Sequence, residues 1–279
     1  MHQPDELRAL VEEELARLPF APELGALEEA ARYSLLGGGK RIRPVLALAT
    51  GEALGRAPRE LLAAACALEL VHTFSLVHDD LPALDDDDLR RGQPSAHVRF
   101  GEDVAILAGD ALLTEAFRLA LSYETPEVGR VVATATLGMI GGQFLDVTTD
   151  GDLDPDGLRR LHELKTGRLL AACVDAPVAV AGLAEEERAP WREFGRELGL
   201  LFQIVDDILD ATGTAEELGK TPGKDEAAGK TTYVSLYGLE RARTLADEAR
   251  ARVGERLAAL PADTGVLEDV VATVRERRA

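Results

Sequence analysis

The chain has 279 residues with a formal net charge of −19, 46% apolar and 29% charged residues, and 13 prolines. Such a composition can bury one sizeable core, which excludes a disordered or collagen-like chain. The acidic balance excludes nucleic-acid binding, because counterion release from phosphates needs a basic surface.

The longest apolar runs, 61–68 and 171–183, are interrupted before the ~20 residues of a membrane span, so no transmembrane segment is expected. The N-terminus is acidic and polar rather than basic and then apolar, which leads to the expectation of a cytoplasmic protein. Cys66 and Cys173 stand in Ala/Leu-rich surroundings and read as small buried hydrophobes, not as a disulfide or metal site. Aromatic residues make up only 4%, and Ala, Leu, Glu and Arg recur at i, i+3, i+4 and i+7 spacing, which predicts an all-α chain. In order, the spacing predicts helices over 5–18, 23–36, 44–54, 58–80, 101–121, 126–149, 155–172, 175–183, 185–211, 231–239, 240–259 and 264–277. Three stretches, 61–78, 131–147 and 196–209, are apolar nearly all round and are expected inside the bundle. Residues 1–279 thus read as a single-domain helical bundle with a central layer of buried helices.

Between the second and third predicted helices lies Gly37-Gly38-Gly39-Lys40-Arg41-Ile42-Arg43-Pro44. Three glycines let the backbone approach a ligand, Pro44 suits a first helical turn, and a helix start attracts anions, so Lys40 and Arg43 can cradle a phosphate. His72, seven residues before Asp79, shares its helix face and offers a further donor. Six aspartates, Asp79, Asp80, Asp85, Asp86, Asp87 and Asp88, then crowd the end of an apolar helix, followed by Arg90 and Arg91. Pro82 disfavours helical conformation at Leu81, so the helix ends there. Carboxylates at a helix C-terminus oppose the macrodipole and repel one another, a double penalty that a divalent cation reverses.

Asp152, Asp154, Asp156, Gly157 and Glu163 fit a calcium-loop pattern, but Pro155 and the lack of a second copy favour Asp154 as a helix cap. Further on, Asp206-Asp207-Ile208-Leu209-Asp210 closes another apolar stretch. Its first and last carboxylates stand one turn apart, about 6 Å along the axis. Such oxygen-only ligands suit Mg²⁺, which completes its octahedron with water and substrate phosphate. Only five of the 31 basic residues are lysine: Lys40, Lys165, Lys220, Lys224 and Lys230. A sparse lysine in an Arg-rich chain hints at a compact point charge.

These residues resemble the trans-isoprenyl diphosphate synthases, bacterial farnesyl diphosphate synthases in particular. The resemblance spans nearly the whole chain and is carried by GGGKRIRP at 37–44, HTFSLVHDDLPALDDDDLRRGQPSAH at 72–97, GGQFLD at 141–146, KTG at 165–167, FQIVDDILD at 202–210, and the lysines of LGKTPGKD and GKTT. It implies an all-α homodimer that condenses isopentenyl diphosphate with an allylic diphosphate. Isopentenyl diphosphate would be held by Lys40, Arg43, His72 and Arg91. The allylic diphosphate would be held by Arg90, Lys165, Thr166, Gln203, Lys220 and Lys230, and by three Mg²⁺ ions, or Mn²⁺, bridged through Asp79, Asp85 and Asp206. Asp80, Asp207 and Asp210 complete the two metal motifs from a second layer. Phe74 followed by Ser75 goes in the family with a fifteen-carbon farnesyl product. Alternatives are a geranylgeranyl diphosphate synthase, a non-catalytic regulatory subunit of such a synthase and, on the calcium-loop pattern, a calcium-binding protein.

Overall fold

Four helical segments begin on a proline, Pro4, Pro22, Pro58 and Pro155, where the missing N–H costs nothing because a first-turn N–H has no partner inside the helix. The computed structural model describes residues 2–149, 153–213 and 230–275. Helix α1 runs Pro4–Arg17, α2 Leu27–Leu36, α3 Ile42–Ala53 and α4 Pro58–Asp79. A two-residue hairpin follows, β1 Leu89–Arg90 antiparallel to β2 Gln93–Pro94, and then α5 Ala96–Phe100, α6 Glu102–Ala120 and α7 Glu127–Thr148. Helix α8 Pro155–His162 passes through a π-helical turn, Glu163–Gly167, straight into α9 Arg168–Ala181. The rest is α10 Glu185–Thr212, α11 Tyr233–Tyr237, α12 Leu239–Ala258 and α13 Gly265–Arg275.

Helix α4 forms the centre, with α6, α3 and α9 packed around it, and α10 closes the layer against α9 and α12. Its inward side chains, among them Leu61, Leu68, Leu70 and Val71, are fully buried, as are Trp191 and Phe194 of α10. The expected all-α, single-domain bundle is what the chain forms. The calcium-loop pattern resolves as a cap: Asp154 Oδ1 accepts from Gly157 N at 2.7 Å and Pro155 opens α8, while Asp152 lies outside the described residues.

Two expectations need correction. The break expected near residue 173 does not occur; Leu170, Val174 and Val178 are buried along one seam, and that packing carries α9 through Pro177. Second, 131–147 does not lie inside the bundle. On α7, Leu137 is 70% exposed at the surface, while exposed Ile140, Phe144 and Val147 border a large cavity rather than the core. An all-round apolar pattern cannot distinguish cover by the same chain from cover by something else. Helices α4 and α7, at 22 residues each, are long and apolar enough to cross a membrane by length and composition, a test that buried core helices also pass. For α4 that pattern is explained by the core, since 67% of its apolar window is buried.

Candidate active site

After Pro82 the chain cannot continue α4, and it wraps back instead. Asp85 N donates to Asp79 O at 2.8 Å and Asp87 N to Asp80 O at 3.1 Å, with Asp86 in the left-handed region at φ 49°. This winding returns Asp85 to the side of Asp79 at the mouth of a cavity of about 1270 Å³. Lys40, Arg43, His72 and Arg91 line one part of it. Asp79, Asp85, Arg90, Lys165, Thr166, Gln203, Asp206, Asp207 and Lys230 line another, while Phe74, Met139, Leu169 and Phe202 make an apolar wall. Ser75 also reaches the cavity, and its hydroxyl donates to His72 O at 2.9 Å. Lys220 and Lys224 lie outside the described residues.

The electrostatics split by region. Burial, reinforced by Arg43, Arg91 and Arg90, holds the His72 imidazole well below its usual range, so it is a neutral donor among fixed cations. Burial pushes Asp79 up to about 6, with Lys165 pulling it down and Asp85 adding repulsion. Asp146, one residue the motif reading did not single out, joins the two lysines: Lys165 Nζ donates to it at 2.6 Å and Lys230 Nζ at 3.1 Å, and Lys230 also reaches Asp85 at 3.3 Å. Burial would raise Asp146, but Lys165 and Lys230 outweigh it and hold its carboxyl below the usual range. Its signal was available, because Asp146 is an acid one turn from the C-terminus of an otherwise apolar helix, where the macrodipole disfavours it. Three residues earlier the Gln143 amide borders the same cavity, with both polar atoms buried and no partner among the described residues.

The π turn sets Lys165 and Thr166. Gly142 of α7 and Gly199 of α10 press against it from two sides: a Cβ on Gly142 would stand 2.3 Å from Lys165 N, and one on Gly199 3.0 Å from Gly167 Cα. Such single-turn π insertions recur at functional sites because they re-aim one or two side chains.

The metal assignments separate into two groups. The Asp80 carboxylate is buried and held by Arg90 through Nε at 3.0 and 3.2 Å and through Nη2, so it turns away from the cavity. Asp207 accepts from Gln203 Nε2 and from Tyr233 N, both at 2.8 Å, which ties α10 to α11. Both carboxylates are committed to the protein, and Asp210 is buried within α10 outside the cavity lining. Asp80 and Asp207 are thus engaged by protein donors, and Asp210 is set back in α10. Asp79, Asp85 and Asp206 remain at the cavity surface. Among the described residues no three His, Cys, Asp or Glu side chains form a metal cage by themselves. That fits Mg²⁺, which binds through few carboxylates and relies on substrate phosphates, and the raised Asp79 is a carboxyl whose ionisation a divalent cation would favour.

The polyprenyl synthetase family model matches residues 25–274. The chain is 48% identical over 252 residues to geranylgeranyl pyrophosphate synthase 11, chloroplastic, of Arabidopsis thaliana, covering 85% of this chain and 70% of that one. It is 46% identical to large subunit 1 of a heterodimeric chloroplastic geranylgeranyl pyrophosphate synthase of the same plant, over 85% and 68% of the two chains. Its structure resembles the Helicobacter pylori geranyltransferase complexed with magnesium and isoprenyl diphosphate, with a TM-score of 0.85 and 34% identity over 98% and 95% of the chains. These relatives overturn the expected cytoplasmic location, since both plant enzymes are chloroplastic by name and an acidic N-terminus does not define a compartment. With two aspartate runs, an anion cradle and the KTG turn meeting at one cavity in this fold, the chain belongs to the polyprenyl synthetase family and is a prenyltransferase of the short-chain trans-isoprenyl diphosphate synthases.

Proposed function

We propose that this protein is a Mg²⁺-dependent synthase that condenses isopentenyl diphosphate with allylic diphosphates and releases geranylgeranyl diphosphate. One observation carries the reading: a single cavity holds a cationic cradle, a separate set of carboxylates and lysines, and an apolar wall, which is room for two diphosphates and one growing hydrocarbon. The twenty-carbon product replaces the farnesyl product expected from Phe74 and Ser75, because plant relatives at 46–48% identity are named geranylgeranyl pyrophosphate synthases.

Lys40, Arg43, His72 and Arg91 hold isopentenyl diphosphate. Arg90, Lys165, Thr166, Gln203, Lys230 and Lys220 hold the allylic diphosphate. Asp79, Asp85 and Asp206 would hold the metal, three Mg²⁺ ions or Mn²⁺ in their place, which would supply positive charge to the diphosphate leaving group. Lys165 and Arg90 add fixed positive charge to the same leaving group, and the apolar wall keeps water from the allylic cation. The double bond of isopentenyl diphosphate then attacks that cation to form the new C–C bond, and the proton lost passes to the released diphosphate, so no side-chain base is required. The exposed surface of α7 around Leu137, which lies outside the cavity lining, is covered by a second copy of the chain in a homodimer.

Phe74 supports a second reading, a farnesyl diphosphate synthase: its ring is 7% exposed, lines the cavity, and meets the His78 ring edge-on at 5.1 Å, which would floor a shorter pocket. Incubation with isopentenyl diphosphate, each allylic primer and Mg²⁺, followed by product chromatography, decides. A twenty-carbon product supports the first reading, a fifteen-carbon product the second, and no product from any primer overturns both.

A further inference from the structure

Arg41 is the most enclosed basic residue of the glycine-rich loop. It is 2% exposed and stands in the left-handed region, φ 49°, a conformation that an L side chain adopts only at a cost. Gly38 and Gly39 before it also have positive φ, at 88° and 128°, so three of four consecutive residues depart from ordinary backbone. Nothing in the covalent chain holds such a turn in one shape, since glycine loses the most freedom when it is fixed.

The guanidinium supplies the restraint. Its Nη1 donates to Glu69 Oε1 at 2.7 Å, its Nε to Glu12 Oε1 at 2.9 Å, and its Nη2 to the Leu35 carbonyl at 2.7 Å. Those partners belong to α4, α1 and the last turn of α2, so one side chain ties three helices to the start of α3. Glu69 is buried at 2% exposure and lies one turn before His72 on α4. From the other side, Arg91 donates to the Gly38 carbonyl and Arg8 Nη2 to the Gly39 carbonyl at 3.2 Å. Lys40, Arg41 and Arg43 all border the cavity, but the Arg41 guanidinium is spent on Glu69, Glu12 and the Leu35 carbonyl.

Resting on the reading of Lys40, Arg43, His72 and Arg91 as the isopentenyl diphosphate cradle, we propose that Arg41, clamped by Glu69 and Glu12, is a positioning residue. It fixes the left-handed turn that aims Lys40 and Arg43 at the ligand, without touching the ligand itself. A buried ion pair is poor evidence for stability alone, because apolar replacements of both partners are often neutral or stabilising. That asymmetry separates positioning from packing.

The test compares the full-length wild type with Arg41→Lys, Glu69→Gln and the double variant Arg41→Met/Glu69→Leu. Readouts are kcat, the KM for isopentenyl diphosphate and for geranyl diphosphate, calorimetric binding of isopentenyl diphosphate without metal, and Tm. The single variants are expected to raise the KM and Kd for isopentenyl diphosphate about tenfold or more, with KM for geranyl diphosphate and kcat changed less than about threefold. The double variant is expected to hold the wild-type Tm and still bind isopentenyl diphosphate weakly. Variants that lose Tm while both KM values stay put, or that raise both KM values equally, overturn the proposal. A single variant that fails to fold leaves the decision to the double one, and wild-type affinity there also overturns it. A wild type that neither binds nor consumes isopentenyl diphosphate sinks the functional reading, and this inference with it.

Discussion

The backbone nitrogen of Lys165 lies 2.3 Å from where a Cβ on Gly142 would stand. Backbone cannot swing aside as a flexible side chain can, so Gly142→Ala must displace the π turn that carries Lys165 and Thr166. We expect a stability loss of about 1–3 kcal/mol from overpacking, and a fall in kcat of up to about 10²-fold from misplaced groups. Thermal melts and steady-state kinetics measure the two effects. Wild-type kcat in a folded Gly142→Ala variant would mean that Lys165 needs no such precision.

Asp79→Asn and Asp206→Ala are each expected to lower kcat about 10²-fold or more, the scale of losing one preorganised electrostatic group. Asp79 adds a stability signature. Its folded pKa is raised to about 6 from the ordinary 3.8, so the folded state binds its proton more tightly and ionised Asp79 destabilises the metal-free protein. That penalty is absent below 3.8, grows as pH rises, and is complete above about 6. Metal-free Asp79→Asn should therefore melt higher than wild type at pH 7, by up to roughly 3 kcal/mol, and equal to it near pH 4.

His162 shows the opposite sign. Burial, with Lys165 adding and Asp146 opposing, lowers it to about 4, so the folded state holds it neutral while the unfolded chain takes up its proton near 6.5. Stability present above pH 6.5 is lost as pH falls towards 4. Replacing it by His162→Leu should flatten that acid limb, by up to roughly 3 kcal/mol at pH 4, in urea titrations run across the range. A limb as steep in the variant as in the wild type would assign the acid sensitivity elsewhere.

Phe74→Ala removes the ring from the cavity wall, leaving space beside His78. The product should lengthen by one or more five-carbon units, whichever chain length the wild type releases. Chromatography of the dephosphorylated product reads this directly, and an unchanged product would show that another residue floors the pocket.

Leu137, 70% exposed on α7, is far enough outward to leave the cavity lining untouched. A charge on a self-associating surface is costly to bury, so Leu137→Glu should shift light-scattering mass from dimer to monomer. A wild type that runs as a monomer at micromolar concentration would refute the second copy.

Much of the fold was legible because helix period and helix punctuation are local. Pro58 and Pro155 start the helices they were expected to start, and α4 ends ahead of Pro82. The π turn was not legible, because Glu163 to Gly167 carry no periodic anomaly; it arises where Gly142 and Gly199 close in from other helices. The β1–β2 hairpin and α5 were missed for a related reason, being too short to establish a period.

By itself the sequence determined which chemistry was present: two runs of aspartate closing apolar helices, a glycine-rich basic loop, and a few lysines in an arginine-rich chain. It could do so because residue type and spacing along one helix fix which groups share a face. Only the tertiary structure decided which carboxylates stay at the cavity. Asp80 goes to Arg90 and leaves the lining, Asp207 stays in the lining but is held by Gln203 and Tyr233, and Asp79, Asp85 and Asp206 line the opening. Those partners lie on other turns or other helices, and competition between a protein donor and a ligand for the same oxygen is settled in three dimensions, where neither pattern nor propensity reaches.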